Sequence, residues 1–357
     1  MENQISRKRL CNRLLWIKFI FVINIWKMKR TSILDLARLL SLNPSTISRA
    51  LNGHPDISDE TRERVRTAAA TFQYRPNLQA RYFRNKNSGL IALILPEMNM
   101  FFVPGLMNGV NEALKNSDKS VIIFISDNDP EREKEIIGHC LSWMVEGVLI
   151  SLSDSTNTLS HLMPLKEAGI PVLLLDKIIE SPDFSTLSID DSDAARLAVT
   201  HLTNKGLKAI LGIFGHENLI MTRQRMDGFK DALHQSNISF SGYDTLTLNT
   251  QDNFEQNLEN RLRSTPYDAL FVMSDELLML SLPVIQKLQL YPASLKIVCI
   301  SDGTLPHRIY PPVTHILHSG FDIGKSGAIL LLEMMKGQTI TFHKKLSVSL
   351  QIAEPNP

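Results

Sequence analysis

At 357 residues the chain has room for two or three compact units, and its 43% apolar and 21% charged residues exclude a disordered or collagen-like polymer. The formal net charge of +1 divides unevenly: residues 28–86 hold 11 Lys/Arg against 5 Asp/Glu, whereas residues 87–357 hold 21 against 31. A small basic head on a larger acidic body is the distribution expected when the head alone meets a polyanion.

Residues 1–27 carry Arg7-Lys8-Arg9 and then an apolar stretch, Leu14 to Trp26, that Lys18 and Asn24 interrupt. The stretch falls short of the roughly 20 apolar residues that span a bilayer, and no small-residue cleavage site follows it. We read residues 1–27 as a non-native or upstream extension, with a membrane-proximal segment as the alternative. Cys11, Cys140 and Cys299 form no CxxC pair, which argues against a zinc site or a disulfide framework and fits a cytoplasmic protein. Cys140 and Cys299 read as small buried apolar residues.

From Ser32 the pattern is helical. Ser32 and Asp35 have the spacing of a capping box, and Ile33, Leu36, Ala37 and Leu40 supply an apolar face. Asn43-Pro44 starts a second helix, because proline's missing N–H costs nothing at the first helical position. Ile47, Ala50 and Leu51 of that helix face inward; Ser45, Thr46, Ser48 and Arg49 point outward, and Asn52-Gly53 ends it. A third helix starts at Ser58-Asp59-Glu60, with its acidic residues at the favourable end of the dipole, and runs through Val65, Ala68 and Phe72. Two short helices joined by a tight turn place the second in a DNA major groove, where arginine and short hydroxyls read base edges and phosphates. Spacing alone leaves a small helical bundle with a polar face as an equal alternative.

The segments Ile33-Leu34-Asp35-Leu36-Ala37, Ser45-Thr46-Ile47-Ser48-Arg49-Ala50-Leu51-Asn52, Ser58-Asp59-Glu60-Thr61-Arg62-Glu63-Arg64-Val65 and Tyr74-Arg75-Pro76-Asn77 resemble the LacI/GalR repressor family, in its order and at its spacing. The resemblance continues to about residue 350. It implies a helix-turn-helix DNA-binding domain over 28–74, a hinge helix over 75–87 and an effector-binding domain over 88–350. By the same resemblance Asn77, Ala80, Arg81 and Phe83 join Ser45, Thr46, Ser48, Arg49 and Asn52 as DNA-binding residues. Phe83 stands where the family usually has a leucine that wedges between base steps. Ser41 stands where the family often has glycine, so a positive φ there would carry modest strain.

Beyond Gly89 apolar runs alternate with helical stretches. Strands are expected at Leu90–Leu95, Val121–Ile125, Gly147–Ser151, Pro171–Leu175, Ala209–Phe214, Ala269–Met273 and Lys296–Ile300, with helices near 103–116, 131–143 and 159–168. This βαβ rhythm implies parallel sheets covered by helices. The expected fold is an all-α helix-turn-helix head plus an α/β sensor of two parallel-sheet subdomains, resembling the periplasmic-binding-protein fold. The N-subdomain is expected at about 88–188 and 316–343, and the C-subdomain at about 189–315 and 344–352.

Ligands of open α/β sheets sit beyond the carboxyl ends of strands, where Asp176, Asp275 and Asp302 fall. Arg225 lies in Arg225-Met226-Asp227-Gly228, resembling the family's Arg-x-x-Gly, and Phe101 and Phe102 lie in a segment resembling its Asn-Pro-Phe-Phe loop. The resemblance implies that these six residues line an effector cleft, with Asp302 and Arg225 binding ligand together. Read locally, helix caps are the lesser alternative for Asp176 and Asp275, and the core is an equal alternative for the two phenylalanines. Leu219 and Met221 are apolar where some relatives carry polar effector contacts, which leaves the ligand class open.

No GxSxG, GxxxxGK[ST] or HExxH motif is present, so we expect no catalytic set, no metal and no cofactor. The expected protein is a cytoplasmic transcription regulator, a repressor by the family's habit. Its expected partners are double-stranded operator DNA, a small-molecule effector such as a sugar, and a second copy in a homodimer, with no membrane. A ligand carrier without the basic head and an α/β enzyme are the rival classes.

Overall fold

The computed structural model describes residues 31–74, 88–241, 244–248, 253–337 and 340–353. The expectations for the extension over 1–27, for the hinge over 75–87 with Asn77, Ala80, Arg81 and Phe83, and for Cys11 lie outside the described residues. Two compact units divide at Asn87 and Ser88.

The first unit is three helices: α1 (Ile33–Leu40), α2 (Pro44–Leu51) and α3 (Asp59–Thr71). The capping box forms, with the Asp35 backbone N–H donating to Ser32 Oγ at 3.2 Å and the Ser32 N–H donating to Asp35 Oδ2 at 2.9 Å. Ser41 ends α1 with φ 51, in the left-handed region where a residue other than glycine carries modest strain. Asn43 caps α2 by backbone geometry alone, since its side chain makes no capping bond. Leu36, Ile47, Ala50 and Val65 are buried together and form the centre of this small core. Arg62 of α3 closes it from outside, donating to the carbonyls of His54 (3.2 Å) and Ile57 (3.0 Å).

The second unit contains two lobes. In the N-lobe, β1 (Leu90–Leu95), β2 (Ser120–Ile125), β3 (Gly147–Ile150), β4 (Val172–Leu175), β5 (Ser185–Ile189) and β11 (His343–Leu346) form one parallel sheet in the order β11-β5-β4-β3-β1-β2. The central strands read as unbroken apolar runs because helices cover both faces; Ile91 to Leu95 are all buried. The covering helices are α4 (Val103–Leu114), α5 (Pro130–Ser142) and the short α6 (Met163–Glu167), joined by a helix described below.

In the C-lobe, β6 (Ile210–Phe214), β7 (Thr245–Thr247), β8 (Ala269–Val272), β9 (Lys296–Ser301), β10 (Thr314–Leu317) and β12 (Ser349–Gln351) follow the order β12-β10-β9-β8-β6-β7. Only the β10–β12 pairing is antiparallel. Its helices are α7 (Asp191–Asn204), α8 (Ile220–Gln235), α9 (Phe254–Ser264) and α10 (Asp275–Lys287).

The chain passes between lobes three times: from β5 into α7, from β10 into α11 (Gly320–Met334), and from β11 into β12. These crossings correct the expected subdomain limits. Residues 316–317 belong to the C-lobe through β10, and residues 344–346 belong to the N-lobe through β11. The limits shift because β11 reads His-Lys-Lys-Leu, an exposed edge strand that carries no apolar signal.

Helices α4 and α11 pack backbone to backbone. A Cβ at Gly109 would collide with the Phe321 carbonyl, one at Gly320 with the Phe102 carbonyl, and one at Gly324 with the Leu106 carbonyl. This contact fixes the N-terminus of α4, and with it Phe102, against the crossing segment at His318.

Candidate functional site

In the head, the outward face of α2 presents Ser45 and Arg49 exposed, with Thr46 and Ser48 half-buried beside them. Asn52 lies just past the helix, where its Nδ2 donates to the Ser48 carbonyl at 2.8 Å. The face therefore offers hydroxyls, a guanidinium and a carboxamide within two helical turns, the groups that suit phosphate and base-edge contacts.

In the second unit a cavity of about 350 Å³ lies between the lobes, within the range that buries a small ligand. It holds five of the six expected effector residues: Phe102, Asp176, Arg225, Asp275 and Asp302. Phe101 is not among the lining residues; its backbone N–H instead donates to Glu276 Oε1 at 3.2 Å, tying the N-lobe loop to α10 of the C-lobe. Leu219 and Met221 form part of an apolar wall with Leu248 and Met273. An adjoining hollow of about 460 Å³ shares Asp154, Asp176, Lys177, Leu219 and Met221.

Arg225 is buried on α8 at 1% exposure. Its Nε donates to Asp191 Oδ1 at 2.7 Å and its Nη1 to the Met273 carbonyl at 2.6 Å, while Nη2 is buried without a hydrogen-bond partner. Arg225 and Asp302, expected to bind ligand together, both line the cavity but make no contact with each other. The Asp302 carboxylate turns back on its own loop, accepting from Thr304 N at 2.7 Å and Thr304 Oγ1 at 3.2 Å. Asp191 pairs with Arg225 because it opens α7 directly after the first crossing, which brings it beneath the guanidinium. Burial pushes the Asp191 carboxyl above its ordinary value, and the guanidinium opposes that push.

Asp176 has φ 59 and is buried with Oδ1 3.0 Å from His318 Nε2. Burial alone would raise its carboxyl; the His318 imidazole, then Arg225 and Lys177, hold it below the usual range. His318 stacks on Phe102 with ring centroids 5.5 Å apart and planes 15° from parallel. Phe102 thus belongs both to the core and to the cavity wall, while Asp176 caps no helix.

Asp275 stands in the first turn of α10, and Ser274 is the cap, accepting from Leu277 N at 3.4 Å. The Asp275 carboxylate accepts from Ser301 Oγ at 2.5 Å and from Asp302 N at 3.1 Å. Burial outweighs these bonds and pushes its carboxyl up to about 6.

Several site residues escape sequence reasoning. Lys177 and Asp154 form an ion pair on the N-lobe wall, and Asn128 and Asp154 bond reciprocally at 3.0 and 2.7 Å. Burial would raise Asp154, but Lys177 overrides it and holds the carboxyl low. Behind this wall Glu133, fully buried on α5, accepts from Ser153 N (2.8 Å), Ser153 Oγ (2.9 Å) and Thr156 Oγ1 (3.1 Å). It thereby fixes the loop that carries Asp154.

Cys140 and Cys299 are buried free thiols; burial pushes Cys140 up to about 12 and Cys299 well above its ordinary value. Among the described residues no group of His, Cys, Asp and Glu is arranged to hold a metal, and no helix is long and apolar enough to cross a membrane.

Comparison with known proteins gives this geometry its family. Residues 32–77 match the model of bacterial regulatory proteins of the lacI family, and residues 88–289 match that of periplasmic binding proteins and the sugar binding domain of the LacI family. Catabolite control protein A of Staphylococcus epidermidis is 27% identical over 312 residues, covering 87% of this chain and 94% of that protein. The lac repressor dimer bound to operator and the anti-inducer ONPF shares the fold with a TM-score of 0.81 at 22% identity, covering 92% of this chain and 99% of that one. The transcriptional regulator CelR in its cellobiose complex does so with a TM-score of 0.66 at 23% identity, covering 92% and 100%. The chain belongs to the LacI family of DNA-binding transcription regulators, with a helix-turn-helix head and a sugar-binding-type effector domain.

Proposed function

We propose that this regulator is a cytoplasmic, non-catalytic repressor that acts as a homodimer and whose affinity for operator DNA is set by a sugar or related metabolite bound between the two lobes. The observation that carries the reading is Arg225: a buried guanidinium on the wall of a 350 Å³ cavity, with one of its nitrogens left unpaired. A buried N–H donor without an acceptor costs about 1–3 kcal/mol, and a ligand oxygen relieves that cost. Asp176, Asp275, Asp302 and Phe102 complete the effector wall, and Ser45, Thr46, Ser48, Arg49 and Asn52 form the base-reading face. Cellobiose in CelR and D-xylulofuranose in a regulator from Alkaliphilus metalliredigens support a sugar-sized ligand for this fold.

The lobes are joined by three strands of chain, so a ligand that touches both acts by favouring one lobe arrangement. Its effect on DNA affinity equals its difference in affinity for the two arrangements. Selecting duplexes from random DNA and titrating the complex with a sugar panel tests the reading. A sequence-specific duplex whose affinity shifts with one sugar is expected; no sequence preference, or no response to any ligand, would refute it.

A further inference from the structure

The effector cavity is far more acidic than a neutral polyol requires. Glu97, Asp154, Asp176, Asp275, Glu276 and Asp302 line it, against Lys177 and Arg225 as fixed cations. Among the described residues Lys177 is spent on Asp154, His318 on Asp176, and Arg225 on Asp191. Glu97, Asp275, Glu276 and Asp302 form no ion pair with any described cation. Three of these four sit together at the carboxyl ends of β8 and β9, where Asp275 also receives the Asp302 N–H. Beside that cluster Arg225 donates to the Met273 carbonyl at 2.6 Å, and its buried Nη2 has no hydrogen-bond partner. The cavity therefore offers two unlike groups, a donor that suits a ligand oxygen and carboxylates that suit a cation.

We infer that the effector bears a basic nitrogen as well as hydroxyls, as an amino sugar does, and that sugar phosphates and sugar acids are excluded. The inference rests on the cleft being the effector site. Closing the lobes over a neutral sugar strips further water from Glu276 and Asp302, whose hydrogen bonds come from neutral donors, and this is unfavourable. An ammonium beside Glu276 and Asp302 offsets that charge, while a phosphate adds to it. Leu219, Met221 and Leu248 give the ring an apolar face to rest on.

The test is isothermal titration calorimetry of the full chain at pH 7.5 against matched sets on the glucose, galactose and mannose skeletons: the 2-amino sugar, its neutral parent, its N-acetyl form and the 6-phosphate. In at least one skeleton the amino sugar should bind tenfold or more tighter than parent and N-acetyl form, with no binding of the phosphate. Glu276→Gln combined with Asp302→Asn should erase that preference, so that the amino sugar and its neutral parent bind alike. The inference is overturned if no amine binds better than its parent, or if a phosphate binds as well as its amine. A neutral or phosphorylated sugar that binds and alters duplex affinity would keep the proposed function and overturn this inference. An amino sugar that binds preferentially without altering duplex affinity would do the reverse.

Discussion

Arg225 and Asp191 meet in the buried wall of the cavity between the lobes, Nε to Oδ1 at 2.7 Å, 34 positions apart in sequence. Both side chains are almost fully inaccessible, so neither charge has water to fall back on. Removing one partner of such a pair costs about 3–5 kcal/mol, because the other is left charged and unpaired. Asp191→Ala should lose stability on that order in urea denaturation, whereas Asp191→Asn, which keeps an acceptor for Nε, should lose visibly less. Equal losses would mean that the charge alone carries the contact and that the retained hydrogen bond and packing contribute nothing.

The approach of α4 to α11 gives a second prediction. Gly324→Ala places a methyl against the Leu106 carbonyl, backbone that cannot yield, and should cost about 2 kcal/mol or more. Gly138→Ala, inside α5 with nothing within 4 Å of the new methyl, should gain about 0.5–1 kcal/mol instead. Thermal denaturation of the two variants should move the midpoint in opposite directions.

Asp275 makes stability depend on pH. Its folded-state carboxyl stands at about 6, against an ordinary 3.8, so the folded protein holds the proton more tightly than the unfolded chain. The favourable contribution is complete below the unfolded value and is lost as pH rises through about 6. At neutral pH the ionised form costs on the order of 3 kcal/mol, chiefly through burial, with the Asp302 and Glu276 charges adding to it and the Ser301 hydroxyl and Asp302 N–H opposing it. Asp275→Asn should therefore stabilise the chain, with a gain that grows between pH 5 and pH 7.5 in parallel denaturant titrations. A gain independent of pH would contradict the assignment.

On the head, Arg49 is an exposed cation on the outward face of α2, the face proposed to read bases. Arg49→Ala should weaken a selected duplex by about 1–3 kcal/mol and relax the preference at one or two base pairs, as competition between duplexes would reveal. Unchanged affinity and preference would remove α2 from the role of recognition helix.

What the sequence disclosed follows from how local each signal is. Ser32 with Asp35, Pro44, and the run Leu90–Leu95 each announce their structure within a few residues, and each forms as read. Strand β5 does not: Ser185, Thr186 and Ser188 are polar yet buried, paid for by bonds such as Thr186 Oγ1 to His343 Nδ1 at 3.1 Å, a partner 157 residues away. Asp191 looks like an ordinary acidic residue in a helix's first turn, and His318 like a loop histidine. Only the crossings between lobes bring the first to Arg225 and the second to Asp176. Asp302 stands at its expected strand end, where its carboxylate accepts from Thr304 two residues on.

The most direct test of the account is fluorescence anisotropy of the full chain on a selected duplex, with and without the sugar that binds the cleft, for the wild type and for Arg225→Ala. The account predicts that ligand shifts the wild-type duplex affinity by tenfold or more and that Arg225→Ala retains DNA binding but loses the response. A wild-type affinity that ligand leaves unchanged, or a response that survives in Arg225→Ala, would contradict it.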